Sequence, residues 1–281
     1  MAVISARECY MDELTERQQR ELEYHRKHAS LVAEKFRSVN YDVVTSATRW
    51  WWNAYWDIWT FLIGQQLAGK KVLIAGCGWG GDALRFAKLG AVVSACDLSS
   101  DMMALGIKLA KDSDLNVSFA QMPCEKMTYE ADTFDVIFCR DILHHVDIHA
   151  TMKEITRVAK PGALLVADEI YSHSILDRIR HSWVVERFVY PMVRKWIYKG
   201  KILYITEDER KMTEDDIDLV KSYIEILLFI KYFNFISTRI VSENVECIAK
   251  ADRVCLYLLG PLGRYLGGRA TFAGYLPDRK S

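Results

Sequence analysis

The sequence predicts an α/β fold in which helices cover both faces of a doubly wound, mostly parallel sheet. Two observations support this prediction. Between residues 70 and 168, short apolar runs alternate with amphipathic stretches of helical length, the pattern that βαβ units impose. A glycine cluster directly follows the first apolar run, and Lys160-Pro161-Gly162 separates the last helical stretch from the last run.

The elements of this region follow in order along the chain. Five strands are expected, at Lys71–Ala75, Val92–Cys96, Val117–Ala120, Phe134–Cys139 and Ala163–Asp168. Three helices are expected between them, at Asp82–Leu89, Ser100–Lys111 and Ile148–Ala159. Pro161 has no amide hydrogen and cannot continue the third helix, so the chain is expected to turn there into the fifth strand.

Residues 1–64 precede the sheet and are expected to form helices. Residues 8–36 carry apolar side chains at helical spacing with few residues that break a helix. The segment Arg49–Trp59 contains five of the eight tryptophans. Such a segment either packs a helix onto the main domain or forms an aromatic wall beside a ligand.

The predicted sheet domain has two parts, residues 65–172 and residues 235–260. Two strand-like runs in the second part, Phe235–Val241 and Arg253–Leu259, are expected to close the sheet. A helical insertion is expected at residues 173–234. Residues 261–281 are rich in glycine and are expected to form an irregular tail.

Composition excludes several classes of protein. Lys and Arg total 37, as do Asp and Glu, so the formal net charge is zero and binding to nucleic acid is not expected. The seven cysteines have no metal-like spacing, which favours reduced thiols in the cytoplasm. Charged residues interrupt the first residues before an apolar run long enough for a secretion signal is reached. The most apolar window, 224–236, is interrupted by Glu225 and Lys231, so no transmembrane span is expected.

The strongest local motif is the glycine cluster after the first strand. Glycine permits a tight turn and removes the Cβ that would keep a ligand away, and the following helix offers unpaired N–H groups. Gly76, Gly78 and Gly81 satisfy the dinucleotide pattern G-x-G-x-x-G, whereas Gly76, Gly78 and Gly80 satisfy G-x-G-x-G equally well. A small ligand is therefore expected at this edge of the sheet.

Asp97 stands at the end of the second strand, 21 residues after Gly76. An acidic side chain at this place can accept hydrogen bonds from both hydroxyls of a ribose. This fits either a dinucleotide or an S-adenosyl ligand. The alternative role is structural, in which Asp97 caps the helix that follows Ser99.

Further segments make the pattern more specific. Together with the glycine cluster, these segments resemble the class I S-adenosylmethionine-dependent methyltransferases, and within them the small-molecule branch that includes the ubiquinone- and menaquinone-type enzymes. The segments are Phe119–Glu125, Thr133–Val146 and Glu154–Val166. The resemblance implies a Rossmann-like, seven-stranded sheet, mostly parallel with the last strand antiparallel. It also implies methyl transfer from S-adenosyl-L-methionine to a small molecule, favouring oxygen, with S-adenosyl-L-homocysteine as product.

The resemblance implies cofactor contacts from several places. The glycine turn would pass beneath the methionine part, the acid after the second strand would hold the ribose, and residues after the second and third strands would surround the adenine. The residues implied, in that order, are Gly76, Cys77, Gly78 and Gly80; Asp97; Leu98, Met102, Cys124 and Glu125. Arg140, after the fourth strand, would lie near the cofactor's carboxylate or ribose.

Two positions depart from the pattern of this family. The family usually has an acid within the first strand where this chain has Ile74, and an Asp at the adenine edge where this chain has Pro123. These departures leave open a binding protein that kept the fold and lost the activity. A third class, an NAD(P)-dependent oxidoreductase, could use the same glycines and Asp97, but no Tyr-x-x-x-Lys pair lies in the required place.

The candidate catalytic residues follow the fourth strand, at the edge where doubly wound sheets bind ligands. Displacement at a sulfonium methyl mainly requires alignment, but a hydroxyl acceptor also benefits from a base. His144 and His145 are the candidates for that base, and packing or capping of the loop is the alternative role for each. Asp141 could orient a histidine or a substrate amine. No metal site is expected, since the histidines lack an H-E-x-x-H or Cys-x-x-Cys companion.

Two residues outside this loop are also candidates. His25 belongs to the leading helical region, and the resemblance implies a lid there over the cofactor; the alternative is an ordinary half-buried helix residue. Glu169 lies just past the fifth strand, where it either faces substrate or is a solvated carboxylate.

The insertion at residues 173–234 should determine the substrate, because long insertions at this edge build lids and pockets. Its first half mixes aromatic with basic residues. This composition fits a pocket for an aromatic or lipid-like acceptor with a negative group, a peripheral contact with membrane lipids, or an ordinary amphipathic helix pair. Thr213 and the three acids after it predict a helix start.

Overall fold

One seven-stranded sheet organises the chain in the computed structural model, which describes residues 14–180, 182–189, 210–235 and 245–278. Its strands are β1 (Lys71–Ala75), β2 (Val92–Asp97), β3 (Val117–Gln121), β4 (Phe134–Arg140), β5 (Ala159–Ile170), β6 (Ile226–Phe233) and β7 (Arg269–Tyr275). Their order across the sheet is β3-β2-β1-β4-β5-β7-β6. β7 runs antiparallel to both of its neighbours, and the other strands share one direction.

Helices flank the sheet on both faces. Those in the described residues are α1 (Glu16–Lys35), α2 (Asp42–Thr45), α3 (Ala54–Ile63), α4 (Gly81–Lys88), α5 (Ser100–Asp112), α6 (Ile148–Val158), α7 (Ser174–Arg180), α8 (Glu214–Lys221), α9 (Glu246–Leu258) and α10 (Gly263–Leu266). A 3₁₀ turn occupies Leu143–His145, between β4 and α6. The predicted α/β class, a Rossmann-like and mostly parallel seven-stranded sheet, is confirmed.

The five strands expected between residues 70 and 168 are all present. Their ends agree within one residue except in β5, which begins at Ala159 rather than Ala163 and reaches Ile170. The register of β4 with β5 shifts after the Phe134–Ala159 pair, and the predicted Lys160-Pro161-Gly162 turn lies in that irregular stretch. The strand therefore absorbs the turn as a bulge instead of starting after it.

Side chains near the helix starts explain where several helices begin. Ser99 caps α5 by accepting the N–H of Met102, and Asp147 caps α6 by accepting the N–H of Ala150. Thr213 forms a reciprocal capping box with Asp216 at the start of α8, as its sequence predicts.

The central strands are buried on both faces, which is why they read as continuous apolar runs. Leu73 and Ile137 lie in a core shared with α6 and α8. Val72 and Phe138, pointing the opposite way, lie in a core shared with α3 and α4. Fully buried Trp59 packs there against Phe138, with ring centroids 6.0 Å apart.

The aromatic segment before α3 therefore contributes to the core through Trp59, as the packing interpretation expects. Trp50 and Trp51, by contrast, remain 44% and 48% exposed. None of the tryptophans between Arg49 and Trp59 lines the cavity described below.

The prediction of a closing strand at Arg253–Leu259 was wrong. Arg253–Leu258 lies in α9, where buried Ala249, Asp252 and Leu256 recur at helical spacing on one face. The other predicted strand, Phe235–Val241, lies outside the described residues after Phe235.

The sheet is closed instead by residues assigned to the insertion and to the tail. β6 lies within 173–234, and its run of Ile, Leu, Phe and Tyr suits an edge strand better than a helix. β7 lies within 261–281 and is buried between β5 and β6. Glycine is needed there because a Cβ at Gly274 would lie 2.4 Å from the side chain of Ile224. The predicted boundaries at residues 234 and 260 thus do not match the sheet.

Two predicted regions are described only in part, the insertion at residues 173–234 and the leading region at residues 1–64. The first half of the insertion is described only up to residue 189, apart from residue 181, where Trp183 and Phe188 are exposed. Its remaining basic and aromatic residues, and residues 1–13 of the leading region, lie outside the described residues. Among the described helices, none combines the length and the apolar character that crossing a bilayer requires.

Candidate active site

A cavity of about 210 Å³ opens at the carboxyl ends of the strands, where β1 and β4 are neighbours and the strand order reverses. Such a switch point is the usual ligand site of a doubly wound sheet. α1 lies over the cavity and contributes three side chains to its wall. The residues of that wall used below are Gln18, Glu21, His25, Ile74, Gly76, Cys77, Gly78, Trp79, Asp82, Asp97, Leu98, Pro123, Cys124, Glu125, Phe138, Arg140, Asp141, Ile142, His145 and Val146.

The glycine turn forms the floor of this cavity. Gly76 has φ +67°, and a Cβ there would lie 2.3 Å from Cγ1 of Ile142. Only glycine fits, because the left-handed backbone strains other residues and the loop after β4 leaves no room for a side chain. Cys77 and Gly78 continue the floor, so all three residues implied for the methionine side line the cavity.

Asp97 connects this turn to the end of β2. Its Oδ2 accepts the N–H of Gly78 at 2.7 Å, and its Oδ1 accepts the N–H of Ser99 at 2.8 Å. Burial raises the pKa of this carboxyl, and the two N–H bonds oppose that rise only in part. Ser99, not Asp97, caps α5. The alternative role of Asp97, as the cap of that helix, is therefore wrong. Each carboxylate oxygen keeps a lone pair with which it can accept a ligand hydroxyl.

The expected adenine side is divided between residues that line the cavity and residues that do not. Leu98, Cys124 and Glu125 line it, as does Pro123. Met102 and Gly80 do not. Met102 is buried in α5. Gly80 begins α4 at φ +81°, where a Cβ would lie 2.9 Å from the ring of Phe119. The lack of a side chain at Gly80 therefore lets the ring of Phe119 pack against the turn.

His145 lines the cavity and faces a carboxylate from α1. Its Nδ1 lies 2.8 Å from Oε1 of Glu21, and the Nε2 of His25 lies 3.8 Å from the same oxygen. Burial favours the neutral acid, but hydrogen bonds and charge from the two imidazoles outweigh it and lower the pKa of Glu21 to about 2. Glu21 is therefore an anion beside His145 at neutral pH.

His144 is placed differently from its neighbour. Its ring is buried and its Nδ1 lies 2.7 Å from Oε2 of Glu169. The other oxygen of Glu169 accepts the N–H groups of Ile142 and Leu143. Glu169 neither faces substrate nor is solvated, because it is fully buried under the loop. The pair fixes the loop that presents His145, and His144 does not line the cavity.

Asp141 lines the cavity from a left-handed backbone position with φ +52°. Arg269, at the start of β7, donates to Asp141 at 2.7 Å and to fully buried Asp168 at 2.6 Å. Burial opposes ionisation of Asp141, but the charges of Arg269 and Arg140 outweigh it and lower its pKa. Asp141 therefore presents a negative charge to a ligand.

Arg140 also borders the cavity, and its guanidinium is already paired. Its Nε lies 2.7 Å from Oδ2 of Asp82, and the guanidinium lies 4.7 Å from the ring centre of Tyr55. The hydroxyl of Tyr55 donates to Asp82 in turn. This network holds a cation at the edge where the cofactor's carboxylate or ribose was expected.

Comparisons with known proteins identify the family. A family model described as a methyltransferase domain matches residues 72–162. The chain is 28% identical over 172 residues to a ubiquinone biosynthesis O-methyltransferase of Coxiella burnetii, over 54% of this chain and 73% of that protein. Proteins of the same name from Methylococcus capsulatus and Pasteurella multocida are 36% and 30% identical, over 34% and 49% of this chain. Those two alignments span only 42% and 60% of the relatives' own lengths.

Residues 72–162 form a methyltransferase domain of the class I S-adenosylmethionine-dependent type. The matched residues include the whole cavity wall except the three side chains from α1. A methyltransferase domain at this place removes the oxidoreductase interpretation of the glycine cluster.

Solved structures support the same fold. Geranyl diphosphate C-methyltransferase from Streptomyces coelicolor A3(2), in complex with Mg²⁺, geranyl-S-thiolodiphosphate and S-adenosyl-L-homocysteine, aligns with a TM-score of 0.58 at 13% identity. That alignment covers 93% of this chain and 98% of the other. The [4+2]-cyclase SpnF also aligns with a TM-score of 0.58, at 17% identity, over 92% of this chain and 96% of its own.

S-adenosylmethionine is the cofactor of this methyltransferase family, and the cavity offers what that molecule needs. Asp97 can accept its ribose hydroxyls, and the missing Cβ of Gly76 leaves the floor open beneath it. Nδ1 of His25 is buried at the cavity with no hydrogen-bond partner among the described residues, so it can bond a ligand from above. The two departures from the family, Ile74 and Pro123, also line the cavity.

Several site residues of this methyltransferase were not found from the sequence. Gln18 and Glu21 reach the cavity from α1, and Arg269 reaches Asp141 from β7. A usable signal existed only for α1, because residues 18, 21 and 25 share one helix face. In the described part of the chain, no cluster of three or more metal-binding side chains is present.

Proposed function

We propose that this protein transfers the methyl group of S-adenosylmethionine to a hydroxyl oxygen of a small, aromatic or lipid-like acceptor. The observation that carries the proposal is His145, which lines the cavity with Nδ1 held by the Glu21 carboxylate. A carboxylate-oriented imidazole is suited to remove a hydroxyl proton, a contribution of about 10²–10⁴-fold in enzymes of known mechanism.

The residues of the cavity would divide the work as follows. Asp97 holds the donor by its sugar, and the turn at Gly76 passes beneath it. The bound donor supplies an electrophilic sulfonium methyl group. His145 would take the acceptor's hydroxyl proton on Nε2 as the oxygen–methyl bond forms and the methyl–sulfur bond breaks, with S-adenosylhomocysteine leaving as a neutral thioether, and Glu21 would stabilise the resulting imidazolium. Leu98 and Phe138 exclude water from the same space.

The acceptor class rests on two supports. The relatives of known name act in ubiquinone biosynthesis as O-methyltransferases, and the described part of the cavity includes Trp79, Phe138, Ile142 and Val146 as apolar contacts. An acceptor with an apolar or aromatic body would bury surface against these side chains.

Methyl transfer to nitrogen is the second candidate. It is favoured by one observation, the ionised Asp141 carboxylate at the cavity wall. Asp141 would hold an amine or ammonium group by a charge-assisted hydrogen bond.

We infer a cytoplasmic location from the thiols. The cysteines in the described part of the chain are free, and Cys96, Cys124 and Cys139 are buried beside one another. Exposed Trp183 and Phe188 would be the side chains that touch lipid if the protein meets a membrane surface.

The test measures methyl transfer from radiolabelled S-adenosylmethionine to 3,4-dihydroxybenzoate, to an alkylated catechol and to phenethylamine. His145→Ala is compared with His149→Ala, whose ring bonds Tyr223 outside the cavity. The proposal expects O-methylated catechol and a loss of about 10²-fold or more in kcat for His145→Ala alone. Labelled amine without labelled catechol favours the second candidate. Donor binding without any product favours a binding protein that kept the fold and lost the activity.

A further inference from the structure

α1 packs along α5 and covers the cavity with one polar face. Leu22 is its buried residue, and most of the helix surface is solvated. Three side chains of one face, Gln18, Glu21 and His25, line the cavity. A helix that buries so little apolar surface gains little from the hydrophobic effect, so its position depends on the bonds it makes.

Two of those bonds reach the same short turn after β4. Arg17 donates to the carbonyl oxygen of His144 at 2.8 Å, and Glu21 lies 2.8 Å from Nδ1 of His145. This turn is itself held in place, because Glu169 accepts hydrogen bonds from the N–H groups of Ile142 and Leu143 and bonds the ring of His144. α1 therefore contacts this fixed loop at His144 and His145.

The contact has a chemical consequence for His145. A carboxylate at Nδ1 can only accept a hydrogen bond, so the neutral ring is held with its proton on Nδ1 and its lone pair on Nε2. The same carboxylate favours the protonated ring that forms after proton transfer. In the Ser-His-Asp triad a carboxylate likewise bonds Nδ1–H, orients the imidazole and stabilises the imidazolium.

We propose that Glu21 is the positioning residue for His145, so that the general base is complete only while α1 lies over the cavity. The inference rests on the proposed function, since it assigns the base of that reaction. It makes α1 a part of the catalytic machinery as well as a cover: a donor can bind at Asp97 with α1 displaced, but the acceptor's proton has no oriented base until the helix docks.

Other titratable groups also face His145 or lie near it. The ring of His144 lies 4.1 Å away between centroids, and His25 shares the Glu21 carboxylate. The remaining titratable groups of the cavity wall come from the glycine turn, from the start of α4 and from the ends of β2, β3 and β4; they are Cys77, Asp82, Asp97, Cys124, Glu125, Arg140 and Asp141. None of these is changed in the experiment, so its effect can be assigned to Glu21.

The experiment compares the full-length wild type with Glu21→Gln, Glu21→Asp and Glu23→Gln. Glu23 lies on the same helix with its side chain 64% exposed and pairs with Lys27, so its variant controls for a lost charge on α1. The first readout is NMR titration of ¹⁵N-histidine, with His145 assigned by His145→Asn. The second is the pH profile of kcat with 3,4-dihydroxybenzoate, beside the KM for S-adenosylmethionine. Thermal unfolding verifies that each variant is folded.

For Glu21→Gln we expect His145 to titrate about one pH unit lower than in wild type, with a shift from the Nδ1–H tautomer. The acid limb of kcat moves to lower pH with it, the plateau of kcat falls at least tenfold, and the donor KM stays within about twofold. Glu21→Asp recovers part of both effects, and Glu23→Gln shows neither.

An unchanged His145 titration in Glu21→Gln overturns the positioning role, whatever the activity. A fall in kcat with an unshifted titration and a raised donor KM also overturns it, because Glu21 would then serve only to cover the donor. Failure of the proposed function looks different: the wild type binds donor but methylates no hydroxyl acceptor, while the His145 titration still responds to Glu21→Gln. That result would rule out His145 as a general base and would confirm its contact with Glu21.

Discussion

The carboxylate of Glu169 accepts a hydrogen bond from the ring of His144 across 2.7 Å, and both side chains are buried. Through its other oxygen Glu169 also holds the N–H groups of Ile142 and Leu143. One acid at the end of β5 thus shapes the loop after β4, which lines the cavity. The geometry of the site depends on this buried residue, although it does not itself line the cavity.

Replacing Glu169 by Gln should therefore destabilise the protein and loosen the site together. The amide oxygen can still accept the two N–H groups, but the amide nitrogen cannot accept the N–H of the imidazole, so His144 loses a charge-assisted bond and must change tautomer to bond the amide. We expect the free energy of unfolding to fall by about 2–3 kcal/mol in urea titrations. Glu23→Gln, at an exposed helix position, should change it by less than about 0.5 kcal/mol. Equal stability of the two variants would contradict the assigned role.

The floor of the cavity can be tested with two alanines. Gly76 and Gly69 both have positive φ, +67° and +77°, but a Cβ at Gly76 meets Ile142 whereas a Cβ at Gly69 meets nothing within 4 Å. Gly69→Ala should cost only the backbone strain, about 1–2 kcal/mol. Gly76→Ala should cost more and should abolish calorimetric binding of S-adenosylmethionine. Ile142→Ala in the same chain should recover part of the stability lost by Gly76→Ala.

The ion pair between Arg269 and Asp168 predicts a large effect of a single substitution. Asp168 is fully buried, and Arg269→Met leaves its charge without a partner. We expect a loss of about 3–5 kcal/mol in the free energy of unfolding. Arg264→Met, at an exposed position in α10, is the matched control and should change it by less than about 0.5 kcal/mol. A loss below 1 kcal/mol for Arg269→Met would show that the pair is dispensable.

The low pKa of Glu21 predicts how stability changes in acid. Its folded pKa of about 2 lies below the usual 4.5, so the stabilisation is complete above pH 4.5 and disappears as the pH falls towards 2. Its size is on the order of 3 kcal/mol. The difference in unfolding free energy between wild type and Glu21→Gln, measured from pH 2 to pH 6, should therefore shrink as the pH is lowered. A difference that stays constant over this range would contradict the ion pair with His145.

Local pattern was enough to predict most of the sheet. The strands from β1 to β5 alternate with amphipathic helices, and each signal lies within a few residues of the element it predicts. The glycine turn and Asp97 were found for the same reason, since both lie where a strand ends.

The closing strands could not be predicted in this way. The apolar run of β6 is compatible with a buried helix segment, and the glycines around β7 resemble those of an irregular tail. What makes β7 a strand is its pairing with β5 and β6 on either side, a property of the assembled sheet. The run assigned to a strand at Arg253–Leu259 forms a helix because Asp252 and Leu256 share its buried face.

The candidate site divides along the same line. His145 and Asp141 were expected at the end of β4, and they do line the cavity. The residues that hold this loop come from far along the chain: Arg17 contacts the carbonyl of His144 across 127 positions, and Arg269 contacts Asp141 across 128. No spacing rule connects such positions, so the roles of Glu21, Glu169 and Arg269 emerged only from the fold.

Isothermal titration of S-adenosylmethionine into wild type, Asp97→Asn and Asp101→Asn tests the central claim most directly. Asp101 lies on α5 with its side chain 46% exposed, outside the cavity wall. We predict one donor site in the wild type and in Asp101→Asn, and about 100-fold weaker binding in Asp97→Asn because the carboxylate's charge-assisted bonds to the ribose are lost. Equal affinity in all three proteins, or no heat of binding in the wild type, would contradict the assignment of this cavity to the methyl donor.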